Sequence, residues 1–334
     1  MPRAEDSIRR GVQEAARLHM ALGTQAALVR APGSVDVFDA VTELDIALLI
    51  RPLEGLLGAF VREPTPGILI TSKRPSSVQR FTAAHELGHF YMAHEFSLDE
   101  PDLLRRSPFG HNGLELQELE ANVFAASFLM PRWLVYKICQ IHGWTAPDFE
   151  DAHVVYQLAL RLGTSYSATV YTLQRYNLVS TPVASNLLAT RPRDLKNDLL
   201  GEFEPANYYG DVWLITANDE GTVIAGSRND HFVLKLKEHS TSGYLWNFDQ
   251  LAESGFVIVR DSYENSNENE IGGFPDRLVT AYLEEAGQGR IDLQESRPWQ
   301  LGNVLGSLSF CYDLTGPEEE GVSRAERRRR LGAA

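Results

Sequence analysis

Two histidines and a glutamate in the stretch His85-Glu86-Leu87-Gly88-His89 have the types and the spacing for metal-assisted hydrolysis. Residues four apart lie on one face of an α-helix, so both imidazoles could bind a single Zn²⁺ ion. Glu86 follows the first histidine, where its carboxylate could accept a proton from a water molecule at the metal. This is the HExxH pattern. The alternative interpretation is a helix whose two histidines are only exposed or packed.

The residues around this motif predict a buried helix that begins near Ser76. Ser76 and Gln79 have the spacing of a capping box, and apolar residues recur at helical spacing over residues 81–90. Gly88 costs about 1 kcal/mol relative to alanine in a helix interior. We therefore expect Gly88 to make room for a metal or for a closely packed neighbour. His94 is expected to be structural at the end of the helix, and the alternative is that it donates to the oxyanion of the tetrahedral intermediate.

A second predicted helix, residues 115–130, offers the third metal ligand. Ala121 and other small residues on one face would let this helix approach the first one closely. Glu118 shares that face and is the expected ligand, while Glu120 is the alternative. Asn122 lies one turn beyond Glu118 and could hydrogen-bond a side chain that binds the metal.

Three separated blocks of sequence resemble the ImmA/IrrE family of zinc peptidases, over roughly residues 5–180. The resemblance implies a zinc endopeptidase whose zinc site keeps one position for water and whose general base is Glu86. Members of this family occur in bacteria and phages, and several cleave a helix-turn-helix repressor. The implied partner is a protein substrate, such as a repressor or an antitoxin-like protein. The blocks are residues 67–71, 79–89 and 118–131.

The composition of the 334 residues is ordinary for a soluble globular protein, with 43% hydrophobic and 23% charged residues. No apolar run reaches the ~18–20 residues of a membrane helix. The charged first residues lack the apolar segment of a signal peptide. Cys139 and Cys311 lie far apart, which favours a reducing compartment. We therefore expect a cytoplasmic protein without disulfide bonds.

The chain is strongly acidic, with 31 Lys and Arg against 45 Asp and Glu and a formal net charge of −14. Neither half has the basic excess that nucleic-acid binding requires, so direct binding to nucleic acid is not expected. The basic cluster of residues 324–330 lies in a charged tail, 316–334, that we expect to be disordered.

The hydrophobic pattern predicts an α+β chain. Residues 5–180 should form a mostly helical, zincin-like domain with a small three-stranded sheet, and residues 181–204 a linker. Residues 205–315 should form an all-β immunoglobulin-like sandwich, because short alternating strands follow one another there. The third strand of the small sheet, residues 67–71, leads directly into the motif helix. It is therefore expected to be an edge strand that pairs with an extended substrate.

Three loops of the expected sandwich resemble those of the chagasin-like inhibitors of papain-type cysteine peptidases. In that family the loops lie at one end of an immunoglobulin-like sandwich and enter the peptidase cleft. His239-Ser240 and Glu270 depart from the Asn-Pro and the first glycine of the family pattern, and Trp246 is expected in the core. The implied partner-binding residues are Ser242, Gly243, Tyr244, Gly272, Gly273, Arg297 and Trp299.

Two rival functions use other features of the chain. In the first, the chain is a peptidase inhibitor or a binding scaffold that acts through the sandwich loops, and any zinc is structural. In the second, the chain is a transcriptional regulator that acts through residues 150–180, which resemble a helix-turn-helix. The missing basic face favours packing over DNA binding for those residues.

Overall fold

The structure, a computed structural model, describes residues 2–94, 116–264, 274–300 and 302–332. Helices of the described residues are α1 (Pro2–Leu22), α2 (Thr24–Arg30), α3 (Val37–Glu43), α4 (Ser76–Tyr91), α5 (Leu116–Leu129), α6 (Arg132–His142), α7 (Ala152–Leu162), α8 (Tyr166–Arg175), α9 (Thr181–Ala189), α10 (Pro192–Leu200), α11 (Asp249–Glu253) and α12 (Arg324–Gly332). Strands are β1 (Ala47–Arg51), β2 (Gly58–Val61), β3 (Gly67–Thr71), β4 (Val212–Ile215), β5 (Val223–Ala225), β6 (His231–Lys237), β7 (Leu245–Asn247), β8 (Phe256–Glu264), β9 (Asp276–Leu283), β10 (Gln288–Ser296), β11 (Val304–Asp313) and β12 (Gly321–Val322). None of these helices is both long enough and apolar enough to cross a membrane.

We call α1–α10 with β1–β3, together with β12 and α12, the helical part. Its sheet has four strands among the described residues, in the order β12-β1-β3-β2. β1 and β3 are parallel, β2 and β3 are antiparallel, and β12 pairs antiparallel with β1. The three predicted strands are present, but a fourth strand arrives from near the end of the chain. The expected edge role of residues 67–71 is wrong, because β3 lies between β1 and β2. The edge beside the motif helix is β2.

The segment predicted as a linker, residues 181–204, contains α9 and α10. Leu187, Leu195 and Leu200 are buried, so both helices contribute apolar side chains to packing. Their prolines lie in the first helical turn. That is where a missing N–H is tolerated, so a proline that suggests a break in the sequence instead begins a helix.

We call the segment that contains β4–β11 the β part. It contains two four-stranded sheets, β5-β11-β10-β7 and β4-β6-β9-β8. Apolar residues of both sheets, among them Trp213, Phe232 and Phe310, form one buried cluster. Short strands are thus present over residues 205–315, as the alternating pattern predicts, but β10 does not show that pattern clearly. β10 has only two apolar residues, Ile291 and Leu293, so its alternation is hard to recognise in the sequence. The immunoglobulin-like arrangement of the sheets stays a prediction.

Helix α7 lies beside the edge strand β4, and its side chains make hydrogen bonds with the β4 backbone that a neighbouring strand would otherwise make. The Gln157 side chain accepts a hydrogen bond from the Leu214 N–H at 2.9 Å and donates one to the Val212 carbonyl at 2.8 Å. Arg161 donates to the Leu214 carbonyl at 2.9 Å and to Asp219 at 2.7 Å. The backbone groups of this edge are thus paired within the chain, which joins the helical part to the β part.

Acidification is expected to weaken this junction through His142. Its imidazole is 5% exposed and accepts a hydrogen bond from Arg161 Nε at 2.8 Å. Burial lowers the pKa of His142 to about 4, and the Arg161 charge adds to this, although Asp219 opposes it. The unfolded chain therefore takes up the proton first. Stability contributed by the neutral ring is lost as pH falls from about 6.5 toward 4.

Urea unfolding at pH 7 and pH 5 checks this prediction, with an expected loss near pH 5 of about 2 kcal/mol from His142. A His142→Gln variant can still accept from Arg161 but cannot titrate, so its pH dependence should be smaller. Equal pH dependence of the two proteins would contradict the assignment.

After β11 the chain returns to the helical part, so the expectation of a disordered tail over 316–334 is wrong for the described residues up to 332. β12 pairs with Leu49 and Ile50 of β1, and α12 packs on α3. Arg324 donates to the buried Glu318 at 3.0 Å. Arg324, Arg328, Arg329 and Arg330 are paired with acidic groups, and the pairs that Arg328 and Arg329 make with Asp36 and Asp45 span most of the sequence.

Candidate functional site

Helix α4 carries the histidine motif and is buried along most of its length. Its N-cap is Pro75, which makes no side-chain capping bond, so the predicted capping box of Ser76 and Gln79 is wrong. The Gln79 amide instead donates to the carbonyls of Thr71 and Glu318 and accepts from the Glu318 N–H at 2.7 Å. The start of α4 is therefore fixed by the strand before it and by the returning chain.

Gly88 lets α4 and α5 lie in close contact. A Cβ atom at this position would be 3.0 Å from Phe124 Cδ1 and 3.3 Å from the Ala121 Cα atom. The closely packed neighbour, rather than a space for a metal, explains the glycine. This contact brings the first turn of α5, which contains Glu118, beside the two histidines.

The side chains of His85, His89 and Glu118 converge on one point. The two Nε2 atoms are 2.9 Å apart, and Glu118 carboxylate oxygens lie 3.3 Å from His85 Nε2 and 3.4 Å from His89 Nε2. Two ligand atoms of a tetrahedral zinc site, each at about 2.0–2.1 Å from the metal, are separated by about 3.3–3.4 Å. The two separations between the carboxylate and the imidazoles match this value, and the Nε2–Nε2 separation is shorter, so the three side chains are placed to hold one metal ion.

The carboxylate of Glu118 is in the form that binds a metal. Burial alone would raise the pKa of Glu118, but hydrogen bonds and charge interactions with His85 and His89 outweigh burial and hold that pKa well below its usual range. A deprotonated carboxylate and imidazole nitrogens are the groups that divalent cations require.

Glu86, the expected general base, lies on α4 against strand β2. Glu86 is 1% exposed, and a Cβ atom on Gly58 would be 2.8 Å from Glu86 Oε1. Only a glycine at position 58 leaves this carboxylate its space. The base candidate thus lies between the helix that carries the histidines and the edge of the sheet.

Glu120, the alternative ligand, points away from the three-residue cluster. Its carboxylate accepts hydrogen bonds from Ser7 at 3.0 Å, from Arg10 at 2.8 Å and from His94 Nε2 at 2.9 Å. His94 also lies 3.1 Å from His89 through their Nδ1 atoms. Sequence reasoning gave His94 a structural role, and only the packing of α4 against α5 shows its link to Glu120. Asn122 is buried on α5.

Two of the three loops predicted to bind a partner meet at one end of the β part. Arg297 donates to the Ser242 carbonyl at 3.2 Å and stacks on the Tyr244 ring at 4.5 Å. Gly243 has φ +78°, and a Cβ atom there would be 2.7 Å from the Trp299 ring. We call residues 242–244 and 297–299 the tip. The third predicted loop, with Gly272 and Gly273, lies outside the described residues.

Trp299 and Trp246 differ strongly in exposure. Trp299 is 72% exposed, whereas Trp246 is buried and donates its indole N–H to the Lys237 carbonyl at 2.9 Å. A large, exposed aromatic side chain that rests on a glycine is suited to contact another molecule. Trp246 belongs to the core, as expected.

Known families match the two parts of the chain separately. Residues 41–174 match the model of the IrrE N-terminal-like domain, a peptidase family. Residues 227–313 match the model of the chagasin family of peptidase inhibitors. The radiation response metalloprotease IrrE of Deinococcus radiodurans is 31% identical over 131 residues, which are 38% of this chain and 36% of that protein. The chain thus spans about a third of the length of this curated relative.

Solved structures include similar chains with low TM-scores. The cysteine protease inhibitor EhICP2 of Entamoeba histolytica is 21% identical, with 32% of this chain and 98% of its own covered and a TM-score of 0.27. A transcriptional regulator of Mycobacterium tuberculosis is 12% identical, with 85% and 81% covered and a TM-score of 0.32. In this chain a segment similar to the IrrE N-terminal-like domain is thus followed by a segment similar to the chagasin family of peptidase inhibitors.

Proposed function

We propose that this chain is a zinc-dependent endopeptidase that cleaves a specific regulatory protein. The observation that carries the proposal is the convergence of His85, His89 and Glu118 beside the buried Glu86, within a segment that matches the IrrE N-terminal-like domain. Two imidazoles and one carboxylate are a donor set of catalytic zinc sites, in which a fourth position stays open.

The chemistry follows from the groups in this cluster. Zinc held by His85, His89 and Glu118 would supply Lewis acidity toward the scissile carbonyl and lower the pKa of the attacking water to ~7. Glu86 accepts a proton from that water at a carboxylate oxygen and passes it to the nitrogen of the leaving amine. The water oxygen bonds to the carbonyl carbon as the carbon–nitrogen bond breaks, so the products are a carboxylic acid and an amine.

The substrate is expected to bind along β2. This strand is at the edge of its sheet, and its first residue, Gly58, lies against Glu86. An extended peptide that pairs with the edge would run past this carboxylate. The resemblance to the ImmA/IrrE family favours a helix-turn-helix repressor or an antitoxin-like protein as the substrate.

Metal analysis and a comparison of protein N-termini test this function. Protein purified without chelators should contain one zinc ion per chain, and Glu118→Ala should lose it. Cells that express the wild-type chain should gain new N-termini in one or a few proteins, which are absent with Glu118→Ala. A zinc-free wild-type protein, or identical N-termini in both cell populations, would contradict the proposal.

For the β part, we propose recognition of a papain-type cysteine peptidase as a second function. The match of residues 227–313 to the chagasin family and the exposed Trp299 at the tip favour it. In this view the tip captures a partner while the metal cluster belongs to the other half of the chain.

Inhibition of papain by the full chain measures this second function. Trp299→Ala should raise the inhibition constant by at least about 30-fold, as expected when a central aromatic contact is lost. Tyr209→Ala is the matched control, because Tyr209 is 89% exposed but lies outside the tip. An unchanged constant for Trp299→Ala, or no inhibition by micromolar wild-type protein, would exclude this role.

A further inference from the structure

Helix α4 ends in a turn that folds His94 back onto the helix. The His94 N–H donates to the His89 carbonyl at 3.0 Å, and the Ala93 N–H donates to the Phe90 carbonyl at 3.3 Å. Ala93 has φ +61°, a left-handed conformation that glycine usually occupies at this position. An alanine there costs about 1 kcal/mol or more, so other contacts of the turn must stabilise it.

Glu120 supplies those contacts from the neighbouring helix. Arg10, which pairs with the Glu120 carboxylate, also donates to the Met92 carbonyl at 3.0 Å and so holds the turn itself. Arg10 and the Ser7 hydroxyl both direct N–H or O–H groups at this carboxylate. An ionised carboxylate only accepts hydrogen bonds, so the His94 Nε2 that faces it must carry a hydrogen.

This assignment fixes the hydrogens along a chain of three side chains. A neutral imidazole carries one hydrogen, so His94 Nδ1 is an acceptor. His89 Nδ1 lies 3.1 Å away and must be the donor. With Nδ1 as the donor to His94, the nitrogen of His89 that can bind a metal ion is Nε2, and this nitrogen faces His85 and Glu118.

Neighbouring residues also contact a face of the His89 ring and its backbone. Phe60 of β2 stacks on it with ring centroids 5.4 Å apart and planes within 8°. Arg62 donates to the His89 carbonyl at 3.0 Å, which fixes the backbone at the same residue. The ring thus has both its orientation and its hydrogen position determined by neighbours.

We propose that Glu120 and His94 are positioning residues that present the Nε2 lone pair of His89 to the metal. The inference rests on the proposed metal site and gives Glu120 a role other than that of a ligand. In the usual arrangement a carboxylate or carbonyl contacts the ligand histidine directly. Here the Glu120 carboxylate contacts His94, and His94 in turn contacts the ligand His89.

Zinc affinity of the full chain, measured by competition with a chromophoric chelator, tests the proposal. His94→Leu should weaken zinc binding about 10- to 100-fold, the usual effect of removing a group that orients a ligand. His94→Asn should restore most of the affinity, because the asparagine Oδ1 can accept from His89 Nδ1. Glu120→Ala should resemble His94→Leu. His142→Asn, at a buried histidine outside the chain of contacts, should bind zinc like the wild type.

The absorption spectrum of the Co²⁺-loaded proteins gives a second readout of ligand geometry. It should change for His94→Leu and Glu120→Ala and stay close to the wild type for His94→Asn. Wild-type affinity and spectrum in both His94→Leu and Glu120→Ala would overturn the proposal, and Glu120→Ala carries the test if His94→Leu does not fold. A wild-type protein that binds no zinc would overturn the proposed function as well, so the two failures are distinguishable.

Discussion

Replacement of Glu86 by glutamine is expected to abolish proteolysis while zinc stays bound. The amide keeps the size of the side chain, which matters because Gly58 leaves space for nothing larger. It cannot accept a proton from the attacking water, and the loss of a general base lowers rates by about 10²- to 10⁴-fold. The three proposed zinc ligands are unchanged. The measurements are zinc content by mass spectrometry and the new N-termini described above.

Glu43→Gln is the matched control for this variant, because Glu43 is an exposed glutamate on α3. It should cleave like the wild type. The Glu86→Gln protein should also retain its target during affinity purification, since binding along β2 does not need the base. Normal cleavage by a zinc-loaded Glu86→Gln protein would rule out Glu86 as the base.

Removal of residues 316–334 is expected to destabilise the helical part strongly. It deletes β12, α12 and Glu318, and it leaves the buried Oε1 atom of Gln79 without the N–H that it accepts from, while the amide N–H keeps the Thr71 carbonyl. An unsatisfied buried polar group alone costs about 1–3 kcal/mol. Together with the lost strand pairing, we expect a decrease in the free energy of unfolding on the order of 3–5 kcal/mol, a large share of a typical total. Urea unfolding, followed by circular dichroism, measures it.

A shorter deletion, residues 331–334, is the control. Leu331 is 81% exposed, so this protein should unfold like the wild type. Zinc affinity should fall in the protein that lacks residues 316–334, because the contact between Gln79 and Glu318 fixes the start of α4, the helix that carries both histidines. Equal urea midpoints for both deletions would show that the returning segment contributes nothing to stability.

The convergence of His85, His89 and Glu118 could be anticipated because much of the information for it is local. His85 and His89 share a helix face through their spacing alone, and an acidic residue on a helix with small side chains was a reasonable third ligand. The choice between Glu118 and Glu120 was harder, since both lie in the same turn. The structure separates them because Ser7 and Arg10 of α1 bind Glu120, and their contact spans more than a hundred residues of sequence.

Neither the order of the strands nor the structure of residues 316–332 could be predicted from residues that are neighbours in the sequence. A strand that leads into the motif helix suggested an edge, yet β3 is enclosed because β1 pairs with it in parallel. The arginine-rich end suggested disorder because it is a cluster of like charges in a charged tail. Arg329 in fact donates to the Thr42 carbonyl at 3.0 Å, and Arg324 pairs with Glu318. Such compensation depends on the three-dimensional fold.

The return of the chain to β1 makes the β part an insert within a discontinuous unit. Its two junctions, near residues 205 and 315, both lead back to the half that contains α4. An exchange of the β part must therefore be made at two splice points, and a hybrid joined only at the first would lack β12. A single proteolytic cut at either junction would leave the β part covalently attached through the other.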